Sequence, residues 1–315
     1  MGLAGNTAAI GAFNRAAATW ESWLTDPVSI EIHADLQDLG NPNVIGGTSA
    51  VFLYAEYDAI QSQMVADALL DEQLDDAIVA SLPEADEFFT SINSGFGLNG
   101  YILATKANLK AMGFMSLDGL AGTNDANITF NSGFAFDYDR SNGVTAGTMD
   151  FETIALHEIG HALGFVSAVD DIDFLMNQGQ TGAVFLMPLD LFRFPASTNV
   201  TAANFGTATR SLAAGAEAKF SDGVSSFSMS TGFTQGDGRQ GSHWKDNGIT
   251  GISIGVMDPS FAFQETRGLS YADLRALDVI GWDVNSAAAI PEPGTFVSLG
   301  LGIAGLVWLR RRRAA

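Results

Sequence analysis

His157, Glu158 and His161 stand as H-E-x-x-H within the stretch Met149–Ser167, MDFETIALHEIGHALGFVS. On an α-helix, residues four apart project from one face, so the two imidazoles can close on one cation with Glu158 beside it. Zinc is the natural guest: a catalytic zinc takes three protein ligands and keeps a fourth position open for water. The flanks predict the helix. Asp150 is placed as an N-cap, Thr153 and Ile154 lead into an apolar run, and Gly164 lets the chain turn away past the second histidine. Gly160 and Gly164 each weaken a helix, so their presence inside H-E-I-G-H-A-L-G-F implies that something nearby requires them.

The supply of ligands is short. The chain of 315 residues has no cysteine, which excludes disulfides, a thiolate zinc site and a cysteine nucleophile. A transition-metal site must draw on four histidines, His33, His157, His161 and His243, together with carboxylates. His33 lies in the alternating segment 28–34 and is read as a strand residue without a metal role. Charge is lopsided: 15 Lys and Arg against 36 Asp and Glu give −21. Four of the positives are Arg310–Arg313, and the body 1–290 holds 11 positives and 35 negatives, or −24. Nucleic acid and anionic membrane surfaces are poor partners for such a body. Acidic loops suit calcium as well, but no EF-hand or glycine–aspartate repeat supports it.

The long metzincin signature has a third histidine ten residues after the first, and that position here is Ser167. The replacements are Asp170, Asp171 or, best, His243, which stands in Gly-Ser-His-Trp-Lys-Asp (241–246), ahead of Gly-Val-Met-Asp-Pro (255–259). In 149–167 and 241–283 the chain resembles the metzincin metallopeptidases, specifically their leishmanolysin-like branch. There an insertion separates H-E-x-x-H-x-x-G-F from a third histidine in Ser-His-Trp-Lys, and a methionine follows. The resemblance implies His157, His161 and His243 as ligands of one catalytic Zn2+, Glu158 as general base and Met257 as the Met-turn residue. Pro259 replaces the tyrosine that some metzincins place two residues after that methionine, so no tyrosyl ligand is implied. The implied reaction is endopeptidase hydrolysis of a protein or peptide substrate, with Glu158 moving the proton of a zinc-activated water. The rival from another class is a non-catalytic cell-surface or matrix protein retaining a degenerate metzincin fold. The presence of both Glu158 and His243 argues against it.

The elements around the motif predict an α+β fold, metzincin-like and two-lobed. An upper lobe of mixed sheet and helices covers about 1–167, and an irregular lower lobe with a final helix covers about 168–283. Helical spacing marks 7–24, with Ile10, Phe13, Ala17, Trp20 and Leu24 inward, and an acidic stretch 56–81 stopped by Pro83. Strand patterns fall at 28–34, within 43–54 and at 125–139, the last read as an edge strand along the cleft. From 168 to 240 periodicity fades, leaving apolar pieces at 184–194 and 225–229. Ser270 with Asp273 three residues later signals the closing helix, with Leu274, Leu277 and Ile280 inward.

The C-terminus is a separate module. Residues 284–290 read as a linker, and 291–315 open with Pro-Glu-Pro-Gly, continue apolar and end in Arg310–Arg313. A helix over 294–309 would span about 24 Å at ~1.5 Å per residue, a little under an inner-membrane hydrocarbon core of ~30 Å. Arginines snorkel across such a shortfall and prefer the cytoplasmic side. This tail resembles the PEP-CTERM sorting signal, which implies export, transient membrane anchoring, recognition by an exosortase-type enzyme and a final cell-surface or extracellular location. Met1-Gly-Leu-Ala-Gly lacks the charged and apolar regions of a secretory signal. The expectation is therefore a start site farther upstream, with a signal segment and one more strand.

Overall fold

Asn6 opens the first helix by accepting the Ala9 N–H at 3.1 Å, and α1 runs Thr7–Glu21. Ile10, Phe13 and Ala17 pack as the spacing predicts, but the most deeply buried face is Ala9, Ala12, Ala16 and Trp20. Alanines let helix backbones approach closely, and α1 packs along the helix that carries H-E-x-x-H. Trp20 Nε1 donates to the Leu156 carbonyl at 3.1 Å, fixing the two together. The computed structural model describes residues 2–69, 76–85 and 88–285.

β1 spans Glu31–Gln37 and not 28–34, because its ladder begins where the Glu31 N–H donates to Asp125 Oδ2 at 2.7 Å. β2 (Gly46–Ala50) and β3 (Phe52–Glu56) follow, then α2 (Tyr57–Ala68) and α3 (Asp76–Val79). The stretch predicted as one helix over 56–81 thus holds two, with 70–75 outside the described residues. β4 (Thr90–Ser91), β5 (Phe96–Thr105), α4 (Lys106–Ala111) and α5 (Leu117–Ala121) lead to β6 (Asn124–Asn131).

One sheet has the order β1-β6-β2, with β1 parallel and β2 antiparallel to β6. The expectation of an edge strand at 125–139 is corrected here: β6 is central, and β2 is the edge on the cleft side. Ile128 and Phe130 do share one buried face, but Asp125 and Asn131 are buried as well. A strand covered by neighbours on both sides has no free edge to offer. β9 (Gly182–Leu186) completes a second sheet, β3-β5-β9. Val51 is the corner between the two sheets: its N–H donates to Asp125 O at 2.8 Å and its carbonyl accepts from Lys106 at 2.7 Å.

β7 (Phe136–Asp137) and β8 (Met149–Asp150) form a short parallel pair ahead of α6, Phe151–Leu163. Beyond it, α7 (Val169–Asn177), β10 (Arg193–Pro195), β11 (Arg210–Ser211), β12 (Ala218–Ser221) and β13 (Ser226–Met229) are all short, as the fading periodicity predicts. After α8 (Asn247–Thr250), Ser270 and Asp273 form a capping box that starts α9, Tyr271–Asp278. Leu274, Leu277 and Ile280 are buried there. The architecture is α+β with small mixed sheets. Contacts group Met1–Val284 as one unit and Asn285–Ala315 as another. The apolar segment 294–309 lies outside the described residues, among which no helix is long and apolar enough to cross a membrane.

Candidate metal centre

Asp150 caps α6 by accepting the Thr153 N–H at 3.1 Å and the Thr153 hydroxyl at 2.5 Å. His157 and His161 then fall on one face, one turn apart. Gly164 ends the helix at φ +122°, a conformation that side chains other than glycine's rarely adopt. That turn brings the Phe165 carbonyl back over the helix end, where it accepts the His161 Nδ1 proton at 2.7 Å. Gly160 is explained by close approach: a Cβ there would overlap the Met257 thioether.

His243 arrives from 82 residues farther along, on a loop pinned from several directions. Its carbonyl accepts the Ser230 N–H at 3.0 Å, and the next residue, Trp244, is fully buried with its N–H on the Met257 carbonyl at 3.0 Å. The Trp244 indole packs edge-on to Phe165 at 4.8 Å and donates to Asp273 Oδ1 at 2.8 Å. Asp273 also takes the Val256 N–H at 2.8 Å. One carboxylate on α9 thereby ties together the cap, the methionine turn and the histidine loop.

The three Nε2 atoms converge. They lie 3.1 Å apart for His157 and His161, and 3.2 Å apart for each pair that includes His243. Each Nδ1 faces a backbone carbonyl: Val256 at 2.9 Å for His157, Phe165 at 2.7 Å for His161 and Gln240 at 3.2 Å for His243. A carbonyl only accepts, so each Nδ1 carries the proton and each Nε2 presents a lone pair to the same point. Nitrogens on a tetrahedral zinc at ~2.0–2.1 Å stand about 3.3–3.4 Å apart. The donor set and its spacing fit such an ion. Burial pushes the imidazole pKa values down, to about 3 for His157 and about 4 for His161, and well below the usual value for His243, whose two histidine neighbours add to the effect. The site is thus built to hold neutral rings, the form that binds a metal.

Glu158 lies beside them, buried, with burial raising its pKa to about 7 against the opposing hydrogen bond from Thr48. The residues open on a cleft of ≈ 460 Å³ whose rim includes Gly46 and Thr48 of β2, Phe233, Arg239 and Phe261. His33 lies on the surface against Glu31 and takes no part.

Ser167 and Asp170 have other work. The Ser167 hydroxyl donates to Asp190 Oδ1 at 2.6 Å, and its N–H donates to Ser242 Oγ at 2.9 Å. Asp170 accepts the Gly241 N–H at 2.5 Å, the Ser242 N–H at 3.2 Å and the Ser242 hydroxyl. From the opposite side Arg193 donates to the Gly241 carbonyl at 3.2 Å. Asp170, an alternative ligand on sequence grounds, instead clamps the loop that carries His243. Thr48 and the Asp170–Arg193 clamp leave no pattern in the chain that marks them. A second acidic group, Asp26, Asp67 and Asp283, brings carboxylate oxygens within 4.8 Å of one another, but carboxylates gather on surfaces without an ion.

The PEP-CTERM protein-sorting motif matches residues 289–313. No curated protein and no solved structure matches the chain. The motif implies export with membrane-associated sorting and recognition by an exosortase-type enzyme. It covers the tail alone and assigns no family to the body.

Proposed function

We propose that the body is an exported zinc endopeptidase, similar to the metzincins of the leishmanolysin-like branch. The observation that carries this reading is the convergence of three Nε2 lone pairs at 3.1–3.2 Å, each fixed by an Nδ1–H bond to a backbone carbonyl. Three neutral imidazoles held that close repel one another unless a cation lies between them. His157, His161 and His243 hold the ion, which supplies Lewis acidity toward a water and toward the scissile carbonyl. Met257, the Met-turn residue of this reading, fills the space that Gly160 leaves.

Glu158 is the general base. Its Oε2 engages the Thr48 hydroxyl at 2.7 Å, which leaves Oε1 to take the proton of the attacking water and pass it to the leaving amine. The cleft admits an extended polypeptide along the edge of β2, beside which no further strand lies among the described residues. Metal analysis with a casein-degradation assay tests the proposal. Wild type is expected to hold about one zinc per chain and to cleave, and Glu158→Gln to keep the metal and lose cleavage. A metal-free wild type, or an active Glu158→Gln, would overturn it.

A further inference from the structure

We infer that Thr48, on the cleft-edge strand β2, is a positioning residue for the Glu158 carboxylate, with Gly46 as the second jaw of the same clamp. The inference rests on the peptidase reading above and adds what holds its base in place. The Thr48 hydroxyl lies 2.7 Å from Glu158 Oε2 and 2.8 Å from the Glu158 carbonyl oxygen, with one proton to share between them. On the other side, a Cβ at position 46 would stand 2.9 Å from Oε1. One oxygen is therefore held by a donor, and the other fits into room that only a glycine leaves. Residues 46 and 48 share a face because side chains alternate along a strand, and that face packs on α6.

Among the described residues, no side chain other than Thr48 has a hydrogen bond to the Glu158 carboxylate. A glutamate side chain has three torsions and loses considerable rotamer freedom when held still. A base off its position by about 1 Å costs on the order of 100-fold in rate. Threonine suits this role because branching at Cβ restricts χ1 and aims the hydroxyl. The strand that borders the cleft thus also sets the position of the base behind it.

The test compares Thr48→Val, Thr48→Ser and Gly46→Ala with wild type in zinc content, kcat, KM and crystal structure. Thr48→Val keeps the shape without the hydroxyl. It is expected to retain about one zinc per chain and a KM within about twofold, to lose about 10- to 100-fold in kcat, and to show the Glu158 carboxylate displaced. Thr48→Ser restores the hydroxyl and should restore kcat and carboxylate position. Gly46→Ala should push Oε1 aside and lower kcat with the metal retained, which covers the case of a Thr48→Val that does not fold. Thr48→Val with wild-type kcat, Thr48→Ser as impaired as Thr48→Val, or an unmoved Glu158 carboxylate overturns the inference. A wild type without peptidase activity sinks the peptidase reading instead, and carboxylate position in the crystals then decides the clamp alone.

Discussion

Gly160 packs against the Sδ of Met257, so closely that a single added methyl would overlap the sulfur. The glycine in H-E-I-G-H is required there by the methionine 97 residues later. Gly160→Ala should improve helix propensity by about 1 kcal/mol and still destabilise the protein by about 1–3 kcal/mol through overpacking. In a Met257→Ala background the sulfur is gone and the same substitution should turn neutral or favourable. Urea unfolding of the four proteins measures this, and additive effects would show that the two residues do not meet.

Zinc removal should lower stability as well as abolish activity. Without a cation, the three lone pairs face one another with no compensation, and a ligand bound only by the folded state stabilises it. At a free zinc concentration of 100 times Kd the gain is about 2.7 kcal/mol. Chelation should therefore lower Tm, and zinc should restore it in wild type but not in His157→Ala. Equal melting of the chelated and zinc-loaded wild type would contradict the site.

Local signals made much of this legible. Asp150, Gly164, Ser270 and Asp273 act within a few residues of themselves, so their capping roles could be read from the chain and are found as read. His157 and His161 follow from helical spacing, and the structure brings His243 to them. What could not be read depends on distant pairing. Whether β6 is an edge or a centre depends on which strands come back to it, and β1 and β2 take both sides. Thr48 reaches Glu158 across 110 residues with nothing beside it in sequence to mark it. Asp170 is an alternative to His243 on sequence grounds because carboxylates bind metals, yet it faces the N–H groups of Gly241 and Ser242.

That clamp gives a ranking of variants by zinc affinity. His243→Ala removes a nitrogen donor and should lose the most. Asp170→Ala frees the peptide groups at 241–242 that aim His243, and should cost about 10- to 100-fold. Asp171, exposed at the cleft and one residue away, should be replaceable by Ala without effect on the metal. Competition with a chromophoric chelator reads all three, and an Asp171→Ala defect matching that of Asp170→Ala would deny the clamp its specificity.

Asp170 also predicts a pH dependence. Burial raises its carboxyl to about 6 in the folded protein, outweighing the hydrogen bonds from Ser242 and Gly241. The unfolded chain titrates it near the usual value of about 4. Between these values the folded state binds more protons than the unfolded one, so stability falls as pH rises through that window. Measured on zinc-free protein, the unfolding free energy of wild type relative to Asp170→Asn should drop by about 2 kcal/mol from pH 4 to pH 7. A flat difference, or one rising with pH, would show that the carboxyl is not held in its neutral form.

The body closes at Val284, and this sets where the chain can be shortened. Leu24 bridges to Val284, and the Thr25 N–H donates to the Asp283 carbonyl at 2.8 Å, so the last residues of the body are stitched to the end of α1. Just before them, buried Trp282 donates its Nε1–H to the Leu163 carbonyl at 2.8 Å, at the end of the H-E-x-x-H helix. His157, His161, His243 and Met257 all precede these contacts. A chain ending after Asn285 should keep the Tm and zinc content of the full protein, whereas one ending at Gly281 loses Trp282 and should be destabilised by about 3–5 kcal/mol. The matched sorting motif lies wholly beyond the cut, at 289–313. In the native cell the released protein should therefore lack Arg310–Arg313 and remain folded and zinc-binding. Mass spectrometry of the exported form decides it: Ala315 still present on released protein would mean that the tail is not removed in sorting.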